Sequence, residues 1–519
     1  LKNTKARFYD STLKLLYLAS EKDQISLTGF VSKDFYQLDL VTQIQNVNAE
    51  NNQYDFSTLN GTLNWSHSFS NNANLRTVVL ASDYTPKIIF PERDIDNEIV
   101  YKSKINYLSF ISEYSKNVSV DLNYYIGAQA NRYTISPGAL DPGTSDVLSV
   151  SLEKETSYEF DGYANIDWSP LEQLSLSGGL RFSHFVLVGP YTQNFFDEVT
   201  GEPLGFTEFE KGAGVKTYNG VEPRLGLNLK LGETTSLKTS YARLNQYLQN
   251  IYNSTTPVPT SRWKTADPYV QPQRSDSYGL GLYKNLMNNE LEISLEGYYR
   301  KAQNVLTYRQ GADFFLSDNI NQDVVQGEGK AYGAELSFKK STGKVNGWMN
   351  YTWSRSLLRS QVDKIADRIN NNKWYPSDFD RTHVFNGTVN FESDKFNTWS
   401  FNFTAQTGRP YTAANGIVTI EGIETPLFLE RNNARLPIYH RLDFSWNIRG
   451  VKSRDKRWSG DWTFTVYNLY ARKNPYSIYY TQRNGTENSE VFLNSPLGAY
   501  ELSIINSPLV SLTYNFVFQ

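Results

Sequence analysis

Cysteine is absent from this 519-residue chain. That removes disulfides, thiolate metal sites and cysteine nucleophiles. Histidine is scarce: His67, His184, His383 and His440 are scattered without metal-ligand spacing. A run of 18 apolar residues is also missing, so no transmembrane helix is expected. An excess of one charge sign is missing as well. The net charge of −3 gives nucleic-acid binding no electrostatic support. Nothing has the form of a nucleophile elbow, and no enzyme activity or cofactor is expected. No linker or composition shift divides the chain, so residues 1–519 read as one domain.

What is present is aromatic and alternating. Aromatics make up 14% of the residues, with 36 tyrosines and ten tryptophans, although mean hydropathy is −0.51. Near the end, Val510, Leu512, Tyr514, Phe516 and Phe518 alternate with Ser511, Thr513 and Asn515, Val517 being the exception. A strand sends successive side chains to opposite faces, so this segment has one oily face and one wet face. The pattern returns at Leu442, Phe444, Trp446 and Ile448, which alternate with Arg441, Asp443, Ser445, Asn447 and Arg449. It returns again at Trp399, Phe401 and Phe403, at Leu291, Ile293 and Leu295, and at Leu174, Leu176, Leu180 and Phe182. The wet faces carry full charges. Many strands of about ten residues with that division predict a membrane barrel with a polar lumen, and the tyrosine and tryptophan surplus fits interfacial girdles.

Short turn signals recur near residues 21–24, 71–74, 116–117, 170–173, 232–235, 285–289, 342–344, 393–395 and 451–459. Longer irregular stretches alternate with them: residues 37–55, 85–98, 136–156, 189–217, 249–274, 310–327, 360–380, 410–437 and 482–497. Nine turns with two flanking strands each, plus the final strand, give nineteen. An odd count puts the two ends on opposite sides of the membrane, whereas single-chain bacterial barrels have even counts. The expectation is that an odd number of strands lies upstream. No signal peptide opens the chain, and an outer-membrane protein needs one, so the natural N-terminus is expected before Leu1.

Several segments resemble the barrel of TonB-dependent outer-membrane receptors. They are Ser377–His383 (SDFDRTH), Thr407–Tyr411 (TGRPY), Leu436–Asp443 (LPIYHRLD) and Tyr467–Tyr476 (YNLYARKNPY), supported by Glu222–Arg224 and Pro272–Ser275. The C-terminal strand, with Tyr514, Phe516 and Phe518, resembles the closing strand and assembly signal of outer-membrane barrels, although Gln519 follows the phenylalanine. The resemblance implies a 22-stranded barrel of which about 19 strands are visible here. Three strands, a plug domain and the box that meets TonB would lie upstream. It implies active uptake across the outer membrane of a Gram-negative bacterium, with outer-membrane lipid, TonB and the chain's own plug as partners. Siderophore, glycan, peptide and cobamide all remain open as ligands. The alternatives are a receptor-like barrel acting as a structural or assembly subunit, with a surface lipoprotein or other outer-membrane subunits, and a passive porin. An unplugged barrel of that size would leak widely, which disfavours the porin.

Candidate residues follow. Asp378, Asp380 and His383 read as caps where a loop re-enters a strand rather than as a metal site. The loop carboxylates Asp363, Asp367, Asp378 and Asp380 lack the spacing of a calcium loop. Lumen charges are expected at Arg181, Arg224, Arg300, Arg441, Asp443 and Arg449. Ladders with carboxylates such as Glu292 and Glu296 are favoured for them over steering of anions. Tyr191, Phe195, Phe196, Trp263, Trp374 and Tyr375 are the loop aromatics that could stack on a ligand. Loop-on-loop packing explains them equally well.

Overall fold

The computed structural model describes residues 5–38, 42–44, 47–69, 72–93, 95–197, 200–252, 261–309, 312, 317, 320–420, 423–450, 458–482 and 497–518. The alternating segments form a single 21-stranded sheet, two members of which, Val150–Ser151 and Tyr375–Pro376, are two-residue pieces. The other nineteen are the barrel staves. The first ten are β1 (Lys5–Leu18), β2 (Asp23–Leu38), β3 (Asn52–Phe69), β4 (Ala73–Pro91), β5 (Glu98–Asn117), β6 (Leu122–Asp141), β7 (Glu155–Leu171), β8 (Leu174–Val188), β9 (Gly214–Gly232) and β10 (Thr235–Gln246). The remaining nine are β11 (Gln273–Leu286), β12 (Leu291–Tyr308), β13 (Val324–Lys340), β14 (Val345–Ser360), β15 (His383–Glu392), β16 (Asn397–Gln406), β17 (Tyr439–Ile448), β18 (Trp458–Tyr467) and β19 (Leu509–Phe518). Each pairs antiparallel with its successor, from β1–β2 through to β18–β19. Among the described residues the two ends of this meander, β1 and β19, each have one neighbour.

The register follows the oily and wet faces. Phe401 lies opposite Phe444 and Trp399 opposite Trp446, with ring centroids 5.3 Å and 6.5 Å apart. On the other face Asp443 is buried and accepts from Arg441 at 2.9 Å. Leu59, Leu180, Leu280 and Leu295 point outward and stay exposed. In a water-soluble protein such a belt would be an aggregation liability; in a bilayer it is the lipid contact.

Two features bound that belt. Trp65, Trp168, Trp348, Trp399, Trp446 and Trp462 are outward and exposed, and each lies close to a short turn. An indole with one polar edge prefers the headgroup level, so they form one girdle. Towards the long-loop end the outward face turns charged. Lys33 pairs with Asp55 at 3.8 Å and Lys104 with Asp83 at 2.7 Å, on the face that carries Leu59 and Leu108. Full charges do not sit in hydrocarbon, so these pairs mark the other surface of the membrane.

The strands differ from the expected ten residues. Those from β15 to β19 have ten, but β5 and β6 have twenty. Twenty extended residues cover roughly 66 Å, far more than the ~25 Å apolar band. The stretch 85–98, expected as a long loop, is strand up to Pro91, and 136–156 is strand up to Asp141. Above the membrane the inward face becomes apolar, and Tyr54, Ile88, Phe90, Ile99, Tyr101 and Leu140 pack there as a buried core. Each contributes about 1.5–3 kcal/mol on burial, so the tall wall is held up as a soluble protein would be. Small hairpins arise inside the long stretches, at Tyr191–Phe196 with Pro203–Phe209, and at Leu248–Tyr252 with Ser261–Thr265. The short turns fall where expected, except that residues 71 and 451–457 lie outside the described ones.

Two measurements check this frame. Leu280→Arg, on the lipid face about midway along β11, should cost about 2–4 kcal/mol in urea unfolding from vesicles, while the lumen change Asn402→Lys should cost no more than about 1 kcal/mol. Equal costs would place the register wrongly. An epitope at Gly201 should be reachable on intact cells and one at Asn72 should not; reversed labelling would invert the orientation.

Candidate ligand site at the barrel mouth

The long loops are tied to the top of the wall by one buried ionic knot. Lys264, on the hairpin strand Ser261–Thr265, is 2% exposed. Its Nζ lies 2.5 Å from Glu155 Oε1 at the top of β7 and 2.8 Å from Asp267 Oδ2. Glu155 Oε2 also accepts from Thr265 N at 2.9 Å and Thr265 Oγ1 at 2.6 Å. Asp267 Oδ1 takes the backbone N–H groups of Tyr269 and Val270, and its Oδ2 takes the Tyr191 hydroxyl at 3.0 Å. Burial by itself would lower the Lys264 ammonium; Asp267 and Glu155 outweigh it and hold the group above its ordinary value. Burial and then Asp267 push the Tyr191 phenol up. Every member is satisfied, which is the condition under which a buried ionic group is tolerated.

The inward arginines expected from the sequence divide by partner. Arg181 reaches Asp161 at 2.7 Å and Glu159 at 3.3 Å, and Arg441 reaches Asp443 at 2.8 Å. Arg224 is 3.8 Å from Glu222, and Arg300 donates to Ser275 Oγ at 3.2 Å. Arg449 is exposed at the short-turn end, its backbone N–H bonded to Phe396. Of the loop aromatics, Tyr191 and Tyr375 are buried. Trp374 lies under two cations, Lys330 Nζ at 4.2 Å and Arg359 at 4.8 Å from its ring centroid. Phe195 and Phe196 ride on the hairpin strand Tyr191–Phe196, Trp263 sits opposite Asn250, and Phe195 is the exposed one at 40%. They are spread over separate loops. Tyr514 lies against Trp462 in a tilted ring pair at 4.6 Å, and Phe516 is outward and exposed. Phe518 closes β19 opposite Trp458.

A further cluster includes only one of those candidates, Arg441. Arg381, Arg409 and Arg441 line a cavity of about 280 Å³ at the long-loop end of β15 to β18, beside Tyr439, Tyr467 and Tyr476, and Arg435 lies next to it, donating to the Gly408 carbonyl at 3.2 Å. Gly408 makes the approach possible: a side chain there would collide with the Leu436 and Pro437 carbonyls. Asn468, left-handed at φ 58°, donates its N–H to Asp443 at 2.8 Å and closes a turn onto Arg472. Asn474 clamps the His440 backbone from both sides. Asp380, fully buried, is spent on Arg435, on the Ser356 N–H at 2.5 Å and on Arg355 at 3.7 Å. Asp443 is spent on Arg441 and Asn468. Asp378 accepts from Asn432, while His383 bonds Tyr351 on the outer face, so these three do not converge. Arg381 and Arg409 sit inside the motifs Ser377–His383 and Thr407–Tyr411 but off the strands, where a search by alternation does not look.

Nineteen antiparallel staves with a polar inward face and an outward apolar belt form the wall of an outer-membrane β-barrel. The chain belongs to the TonB dependent receptor-like, beta-barrel family, whose model matches residues 3–469. No curated protein matches it. Solved structures share the fold at low identity. The siderophore receptor PiuA from Acinetobacter baumannii is 11% identical at a TM-score of 0.65, over 99% of this chain and 75% of that one. The ferric-catecholate import receptor Fiu from E. coli K12 is 13% identical at 0.61, over 99% and 75%. The ferric yersiniabactin uptake receptor FyuA from Yersinia pestis is 14% identical at 0.62, over 99% and 71%.

Lys264→Met should leave two carboxylates buried without a cation and cost about 3–5 kcal/mol. Faster protease cleavage within residues 248–265 would report it, and Glu155→Gln combined with Lys264→Met should recover part of the loss. The pH dependence has a defined sign. The folded ammonium is held above the ordinary lysine value of 10.5, so its stabilisation is complete below that pH and fades as pH rises past it. A knot that loosens between pH 5 and 8 would contradict this assignment.

Proposed function

We propose that the chain forms the transmembrane barrel of an energised outer-membrane importer. A ligand enters between the long loops, and TonB, working through a plug supplied by the same polypeptide, drives it through the lumen. The observation that carries this reading is the family membership of the chain, joined to a mouth that is built and tied down rather than open. That β1 and β19 each have one neighbour among the described residues supports further strands, three on the expected count of 22, filling the seam. Unpaired strand edges in hydrocarbon would leave N–H and C=O groups without partners. A Gram-negative outer membrane is the matching location. No enzymatic step is needed, since the ligand need only be bound and moved. Siderophore, glycan, peptide and cobamide remain the ligand classes; of the structures named above one is a siderophore receptor, one imports ferric catecholate and one takes up ferric yersiniabactin, which favours the first.

The test compares cells with and without the intact protein by mass spectrometry of the spent medium. At least one component should be depleted only when the protein is present and only while the proton gradient is intact. Depletion that survives an uncoupler would indicate a passive pore. Unchanged medium, with loss of another outer-membrane protein from the membrane, would favour the structural-subunit reading instead.

A further inference from the structure

The cavity at the top of β15 to β18 has a charge imbalance that its own residues do not settle. Arg381 and Arg409 are half-buried, and neither forms an ion pair with a carboxylate among the described residues. Among the described residues Arg381 donates only to the Asp380 backbone carbonyl at 3.3 Å, and Arg409 only to the Tyr476 carbonyl at 2.9 Å, its guanidinium lying 5.7 Å from the Tyr476 ring centroid. The two nearby carboxylates, Asp380 and Asp443, are already committed to Arg435 and Arg441. A guanidinium carries five N–H donors in a fixed fork. Most of those on Arg381 and Arg409 are therefore unspent, and both side chains line the same cavity. Arg441, on the inward face of β17, lies over the Tyr467 ring at 3.7 Å, so the third cation is fixed in place.

We propose that this cavity is an oxyanion site, in which Arg381 and Arg409 take a carboxylate or phosphate group. Planar forks facing one small volume suit the bidentate pairing such groups make. The electrostatics agree. Burial, followed by repulsion from Arg409 and Arg435, pushes the Arg381 guanidinium below its usual value. A bound anion would relieve that repulsion, whereas an apolar occupant would not. About 280 Å³ admits a small di- or tricarboxylate, or the anionic end of something larger. Arg431, by contrast, spends its guanidinium on Thr307 and the Tyr308 carbonyl and takes no part. The group has two possible sources: a solute arriving from outside, or a carboxylate side chain of a lumen segment of the same protein. The first deepens the importer reading and rests on it; the second does not need it.

The experiment is isothermal titration of the full-length protein, purified from outer membranes in detergent, with citrate and with inorganic phosphate at low ionic strength. Saturable binding to one site is expected. Arg409→Gln and Arg381→Gln should each weaken it about tenfold or more, and Lys395→Gln, in a short turn at the far end, should leave it unchanged. Phenylglyoxal labelling mapped by mass spectrometry separates the sources. Protection of Arg409 that appears only with citrate identifies an external anion. Protection in the absence of any added anion, together with no titration heat, identifies a carboxylate of the protein itself. No heat, with Arg381 and Arg409 modified as fast as the exposed Arg449, overturns the site. Energised uptake with neither anion binding nor protection of Arg381 and Arg409 would remove this site and leave the importer standing; anion binding without energised uptake would do the reverse.

Discussion

Hydrocarbon offers backbone groups no water, so every N–H and C=O within the membrane must find another strand. This one requirement accounts for the architecture. It selects strands that pair with their sequence neighbours, short turns at one end and an unbroken ladder from β1 to β19. It also explains why so many outward residues are ordinary Leu, Val and Phe rather than specific partners. The lipid face needs only to be apolar, while the ladder supplies the geometry. Specific side-chain chemistry is therefore concentrated where the ladder does not reach, on the inward face and in the loops.

Above the membrane that requirement is lifted and a second one replaces it. Strands as long as β5 and β6 emerge into water with no lipid to lean on. They are stabilised by an inward apolar core around Tyr54 and Tyr101, and by the ionic knot of Lys264, Glu155 and Asp267. The knot costs desolvation that a hydrophobic cluster would avoid. What it provides is direction: seven hydrogen bonds and ion contacts fix how the hairpin strands 248–252 and 261–265 and the loop carrying Tyr191 meet the wall. Further along the wall, at β15 to β18, the arginine cavity is built from equally fixed side chains but without charge balance. One ionic cluster is complete and the other has donors to spare, which is the physical difference between a brace and a binding site.

Much of the frame was legible from alternation. The period-2 pattern at Arg441–Arg449 and Trp399–Gln406 states both the strand and its faces, and nineteen staves follow from counting turns. Alternation fails where the faces change character without changing period. Ile88 and Phe90 are strand residues, but their apolar side points inward, so the stretch beginning at Thr85 looked like a loop. The loop hairpins were hidden for a different reason: Tyr191–Phe196 is too short and too locally paired to show a period. The mouth was legible only in part. Arg441 and Asp443 were visible because they sit on a strand, where they pair with each other. Arg381 and Arg409 were hidden by lying between strands, in segments whose resemblance to a family drew notice before their chemistry did.

The tryptophan girdle and the two outward ion pairs have a mechanical meaning. Sinking the barrel by two residues along its strands, roughly 7 Å of chain, would carry Lys33, Asp55, Asp83 and Lys104 towards oil, and lifting it by the same amount would pull six indoles out of the headgroups. The wall thus has a draught line at each surface, and vertical travel is resisted in both directions. A tug applied to anything held inside would then be spent on deforming that content, because the hull around it stays moored.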